Sequence, residues 1–251
     1  MAPKVPGAEA IFGIPEVDQQ LSGQLPRGWL GILSGVPGSG IELLAKQFAQ
    51  AAAPKTPVVY YTTSERDEDV KSALRDFGWR DDLNLVNIAD EYYEKVLSRN
   101  LEVSQYREKG VSGKEVSEFQ MASLEAPPVN FVTRMTYDLA GFDQPFRLVL
   151  DSLDFFLEIS EREEVISLVR QIRSRAQRVG GVALLTVHPA IHDHQTTGTL
   201  EEIADLLLDI EVEREHATLR HFINVRKIRN HPERTGIIPV TITPKGIGTA
   251  Q

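Results

Sequence analysis

A chain of 251 residues with 41% hydrophobic and 25% charged residues has the make-up of an ordinary globular protein with one sizeable core. A formal net charge of −9 argues against nucleic acid as the main partner, because a domain that coats phosphates carries the opposite sign. The absence of cysteine excludes disulfides, thiolate zinc sites and cysteine nucleophiles together.

Residues 29–34 form a short apolar run that ends in Gly35-Val36-Pro37-Gly38-Ser39-Gly40, and a helical pattern follows over 41–53. Residues 58–62 are β-rich, 67–77 show helical spacing through Val70, Leu74 and Phe77, and 85–88 give a further short strand. Residues 91–125 are polar and rich in Glu, Ser and Lys, and are expected to be a helical insertion. A helix over 129–139 leads into the strand Arg147-Leu148-Val149-Leu150-Asp151. Val165, Leu168, Val169, Ile172, Ala176 and Val179 share one face of a long helix, and 182–187 is the next strand. Three strand candidates then follow with no helix between them, at 206–212, 219–225 and 237–242. The expected architecture is a single α/β domain. Its sheet is mostly parallel and flanked by helices, with an antiparallel C-terminal edge.

The segment 35–42 sits where strand passes to helix and has the frame of a phosphate-binding loop, G-x-x-x-x-G-K-[ST]. In that motif backbone N–H groups and the helix dipole face the phosphates, lysine neutralises charge and the hydroxyl ligates Mg²⁺. Here Gly35, Gly38, Ser39 and Gly40 keep the frame, while Ile41 and Glu42 stand where the lysine and the hydroxyl belong. A carboxylate about 4 Å from a phosphate oxygen opposes binding by on the order of 4 kcal/mol at an effective dielectric near 20. Lys46 lies about 140° around the helix from Ile41 and is expected to point elsewhere. It is placed instead to pair with Glu42 at i,i+4.

Several further segments carry a resemblance. Leu21-Ser22-Gly23-Gln24-Leu25-Pro26-Arg27-Gly28 precedes the loop, and Arg147 to Leu153 reads RLVLDSL. Thr62-Thr63-Ser64-Glu65 closes the second strand, and Glu201-Glu202-Ile203-Ala204-Asp205 opens a later one. Val225-Arg226-Lys227-Ile228-Arg229 and Pro239 to Ile247 follow. In this order, over most of the chain, they resemble the KaiC-like branch of the RecA superfamily of P-loop ATPases, with a degenerate phosphate loop. The resemblance implies ATP with Mg²⁺ as the ligand of the loop residues 35 and 38–42. It implies Asp151 as the Walker B residue that organises the metal, and Glu65 as the survivor of an acidic pair that activates water, its partner position being Ser64. Lys227 and Arg229 would reach a neighbouring subunit's phosphate. Ser64 with Asp67 also reads as a helix-capping box, and the cations near 227 as charges that guard an edge strand.

His188, Asp193, His192 and His194 form a run that could bind zinc, or simply a solvated loop. Trp29, Trp79, Phe155 and Phe156 read as packing residues.

The expected function is that of a weak or inactive ATPase serving as a regulatory or assembly subunit, as a homo-oligomer or beside an active relative. The alternatives are an active ATPase completed by a neighbour's cations and a recombination-type DNA-binding accessory protein. No apolar stretch approaches the roughly 20 residues that span a bilayer. Residues 1–10 lack the apolar segment of a secretory signal, so the expected location is the cytoplasm.

Overall fold

A computed structural model describes residues 11–97, 130–216 and 218–250. Among the described residues nine strands form one sheet, in the order β3-β2-β4-β5-β1-β6-β7-β8-β9. They are β1 (Trp29–Gly35), β2 (Val58–Thr62), β3 (Asn84–Asn87), β4 (Arg147–Asp151), β5 (Val182–Val187), β6 (Leu206–Glu215), β7 (Thr218–Ile228), β8 (Gly236–Thr243) and β9 (Gly246–Thr249). From β3 through β6 every pairing is parallel. From β6 to β9 every pairing is antiparallel. The change of direction follows from the connections: helices carry the chain back between parallel strands, whereas short turns join the last strands.

Burial on both faces explains why the central strands read as unbroken apolar runs rather than alternating ones. Leu148, Leu150, Ala183 and Leu185 face one core with α5 (Phe131–Ala140) and α7 (Arg162–Val179). Tyr60, Val149, Leu184, Leu206 and Leu208 face the other core with α2 (Ile41–Gln50), α3 (Asp67–Asp76) and α1 (Pro15–Leu21). Helix α7 is placed by its ends as well as its stripe. Glu163 and Glu164 open it, Arg178 closes it and Gly180 caps it in the left-handed conformation, matching the dipole at both termini. The shorter helices are α4 (Ile88–Tyr92), which continues as a π-turn over Tyr93–Leu97, α6 (Asp154–Ile159) and α8 (His194–Ile203).

Several boundaries differ from the sequence expectation. The strand expected at 85–88 is Asn84–Asn87, because Asn87 caps α4 by accepting from the Asp90 N–H, and Ile88 begins that helix. The helix expected at 41–53 ends at Gln50, and β6 and β7 extend beyond the core as a polar ribbon. Strand β9 and helices α1 and α6 have no separate signal, being too short for periodicity to single out, and the ten residues of α8 include Thr196, Thr197, Gly198 and Thr199, which are weak helix formers. Of the insertion expected at 91–125, residues 98–125 lie outside the described residues.

Strand β9 is fastened to α2 by one side chain. Buried Gln47 donates to the Ile247 carbonyl (2.9 Å) and accepts from the Ile247 N–H (2.7 Å). Gln47→Ala leaves both backbone groups without these partners, and should lower unfolding stability by about 2 kcal/mol in urea titration.

Candidate functional site

The site lies at the carboxyl ends of the parallel strands, where β1 passes through the loop into α2. Gly40 holds the N-cap of α2 at φ +93°, a conformation that a side chain resists. At Gly35 an added Cβ would come 2.6 Å from Ser39 Oγ and 2.7 Å from Ile210 Cγ2, so glycine is the residue that lets the loop lie against β6. The Ser39 N–H closes a turn onto the Val36 carbonyl (3.0 Å). Ser39 itself is fully buried, and its hydroxyl has no hydrogen-bond partner among the described residues.

Ile41 is 0% exposed and packs in the apolar cluster with Leu44 and Phe48, so the position of the loop's missing lysine is an anchor in the core. Glu42, in the first turn of α2, suits the helix dipole. The expected Glu42–Lys46 pair does not form. Lys46 is 3% exposed, lies 5.8 Å from the centroid of the Tyr60 ring and forms an ion pair with Glu65. The inner face of α2 looks along β2, and a long lysine stem on it reaches the carboxylate just past the end of that strand.

Asp151, at the end of β4, is 3% exposed. Tyr60 Oη donates to its Oδ2 (2.6 Å) and Thr186 Oγ1 to its Oδ1 (2.8 Å). Tyr60 comes from β2 and Thr186 from β5, the strands on either side of β4. Burial, followed by the adjacent Asp151 charge, pushes the Tyr60 phenol well above its ordinary range, with Glu65 and Glu42 adding in the same direction. The phenol therefore stays a donor. Thr63 extends the lacing, since its Oγ1 accepts from the Ser152 N–H (2.8 Å).

The loop before α3 is not a Ser64–Asp67 capping box. Arg66 is the N-cap and makes no side-chain cap bond, Ser64 is exposed, and Asp67 instead accepts from Asn87 Nδ2 (2.9 Å). Asn87 Nδ2 also donates to the Glu65 carbonyl (3.2 Å), and this fixes the segment that carries Glu65.

Lys227 and Arg229 lie at the opposite end of β7 and are engaged within the chain. Lys227 Nζ donates to the carbonyls of Glu201 (2.6 Å) and Glu202 (3.2 Å). Arg229 donates to the carbonyls of Glu202, Ile203 and Ala204, and its Nε to Asp205 Oδ1 (2.6 Å). Both close the C-terminus of α8, where cations suit the orphan carbonyls. Burial, then the nearby Arg229 charge, lowers the Lys227 ammonium below its usual value. Asp205, 0% exposed, also accepts from Arg173 (2.8 and 3.0 Å) and from the Leu30 N–H (3.2 Å).

The histidine run divides. His188 Nδ1 and His192 Nε2 both meet the buried Asp154 carboxylate (2.6 and 2.7 Å), while His194 is exposed and begins α8 behind the Asp193 cap. Among the described residues no group of histidines and carboxylates is arranged to hold a metal ion. Trp29 and Phe156 are buried as expected, and Trp79 stacks on Phe77 (centroids 5.0 Å apart).

The residues present do not fit ATP with Mg²⁺ as they stand. The glycine geometry remains for an anion, whereas the Ser39 hydroxyl is buried against Gly35. Against it, the carboxylates of Glu42, Glu65 and Asp151 act on the Tyr60 hydroxyl, and the nearby Lys46 ammonium is paired with Glu65. Both Asp151 oxygens already accept internal hydrogen bonds. The signal sequence reasoning missed was Tyr60, whose polar end is concealed in an apolar strand.

A family model of the KaiC ATPase matches residues 11–250. A UPF0273 protein of Methanopyrus kandleri is 34% identical over 68 residues, and the chain spans 27% of that relative's length. Among solved structures, a KaiC-like protein from Pyrococcus horikoshii OT3 superposes with a TM-score of 0.61 at 20% identity, covering 98% of this chain and 100% of that one. The flagellar accessory protein FlaH from Methanocaldococcus jannaschii gives 0.69 at 13% identity, covering 97% and 99%. At these identities the structural likeness is one of fold, and the fold is RecA-like.

Proposed function

We propose that this chain, which belongs to the KaiC ATPase family, is a degenerate member that is weak or inactive as an ATPase and acts as a regulatory or assembly subunit. The observation that carries this reading is the Lys46–Glu65 ion pair. The carboxylate best placed to activate water is neutralised from within the protein. The nearby ammonium on α2 is committed to it, and Ile41 supplies no charge in its stead. The subunit would work in a homo-oligomer or beside an active relative in the cytoplasm. Among the described residues no helix is long and apolar enough to cross a membrane.

Nucleotide titration tests the reading. The unaltered chain should bind ATP weakly, with or without Mg²⁺, and Ile41→Lys/Glu42→Thr should bind at least about tenfold more tightly. Robust turnover by the unaltered chain, abolished by Asp151→Ala, would favour the alternative of an active site completed by a neighbour's Lys227 or Arg229. In that case both side chains would have to leave the α8 carbonyls they now hold. A solution mass measurement decides between single chains and rings.

A further inference from the structure

Tyr60 belongs to no phosphate-loop residue set, yet its hydroxyl ends on the acid that a metal would need. Each buried donor takes one of a carboxylate's roughly four lone-pair sites and draws off charge that a cation would otherwise meet. Asp151 receives Tyr60 Oη on one oxygen and Thr186 Oγ1 on the other, at 2.6 and 2.8 Å, with only 3% of its surface exposed. The Tyr60 ring is 0% exposed, wedged beneath α2 in the same cluster as Ile41, Leu44 and Phe48, with the Lys46 ammonium near its face. Packing on this scale leaves the ring no room to swing aside, so the hydroxyl is a fixed occupant. Phenylalanine at this position would keep the ring and remove the donor alone.

We propose that Tyr60 sets the metal requirement of this site: by holding Asp151 from within, it keeps the loop from recruiting Mg²⁺ even when positions 41 and 42 are repaired. The assignment rests on the degenerate reading above and deepens it, adding a departure that lies outside the loop.

The test compares Ile41→Lys/Glu42→Thr with the same protein carrying Tyr60→Phe. A fluorescent ATP analogue is titrated in Mg²⁺ and in EDTA. In the first protein Mg²⁺ should change Kd by less than about twofold, and in the second it should tighten Kd by about tenfold, as expected when a hydrogen bond to a charged group is released. An equal Mg²⁺ response in both proteins overturns the assignment. Because lysine at the buried position 41 endangers the core, a second pair keeps Ile41 and compares Glu42→Thr with Glu42→Thr/Tyr60→Phe, with folding verified by thermal melting. The same contrast is expected there, and an equal response within that pair also overturns the proposal. Tight Mg²⁺-dependent binding by the unaltered chain would overturn both this assignment and the degenerate reading. A Mg²⁺ response in the loop repair alone overturns only the role of Tyr60.

Discussion

Asp205→Ala should lower unfolding stability by about 3 kcal/mol or more, read as a shift of the urea midpoint at constant slope. The fully buried carboxylate binds two guanidinium groups, Arg173 and Arg229, and the Leu30 N–H. Its own backbone pairs with the Leu30 carbonyl and the Arg229 N–H, both at 2.8 Å. One residue thus joins β1, α7 and β7. Removing the carboxylate leaves two cations with no counter-charge beside the core, although each is partly exposed (27% and 33%), so water moderates the loss. Asp205→Asn, which keeps the shape and one acceptor, should lose less. Combining Asp205→Ala with Arg229→Ala should cost clearly less than the sum of the single changes, since both delete the same bond.

A second large effect is expected at Asp151, in the absence of any nucleotide. Asp151→Ala strands the Tyr60 and Thr186 hydroxyls, both 0% exposed. Each unsatisfied buried donor costs about 1–3 kcal/mol, so a loss of about 2–6 kcal/mol is expected. For a chain of this size that corresponds to a melting temperature lower by at least about 4 °C. Adding Tyr60→Phe should recover about 1 kcal/mol, because deleting both partners of a buried hydrogen bond is cheaper than deleting one. An acid that faced only solvent and metal would show no such penalty in the ligand-free protein.

The order of strands and long helices was legible because apolar runs and the 3.6-residue period survive in any single sequence. The retained glycines marked the strand–loop–helix junction, and the substitutions Ile41 and Glu42 could be read directly against the motif. Partnerships between distant residues could not. Local helix spacing pairs Lys46 with Glu42, but an inward-facing lysine is governed by what lies on the sheet beneath it, and that is Glu65. The capping box at Ser64 and Asp67 failed for a similar reason, as Asp67 is drawn across to Asn87 on β3. Tyr60 was invisible because an aromatic residue in a buried strand satisfies the packing pattern, and pattern carries no information about where its hydroxyl points. Lys227 and Arg229 were visible as cations, whereas their carbonyl partners depend on how α8 ends beside β7.

The side-chain lacing of β2, β4 and β5 has a dynamic consequence. Tyr60, Asp151 and Thr186 tie three neighbouring strand ends, and the Leu153 N–H to the Thr186 carbonyl (2.9 Å) and Asp154 to the two histidines continue the seam into the next loop. Such a rim should be stiff without a ligand. Its amides should exchange with solvent as slowly in the free protein as in any complex. Any movement that accompanied ligand binding would then have this rim as its fixed frame.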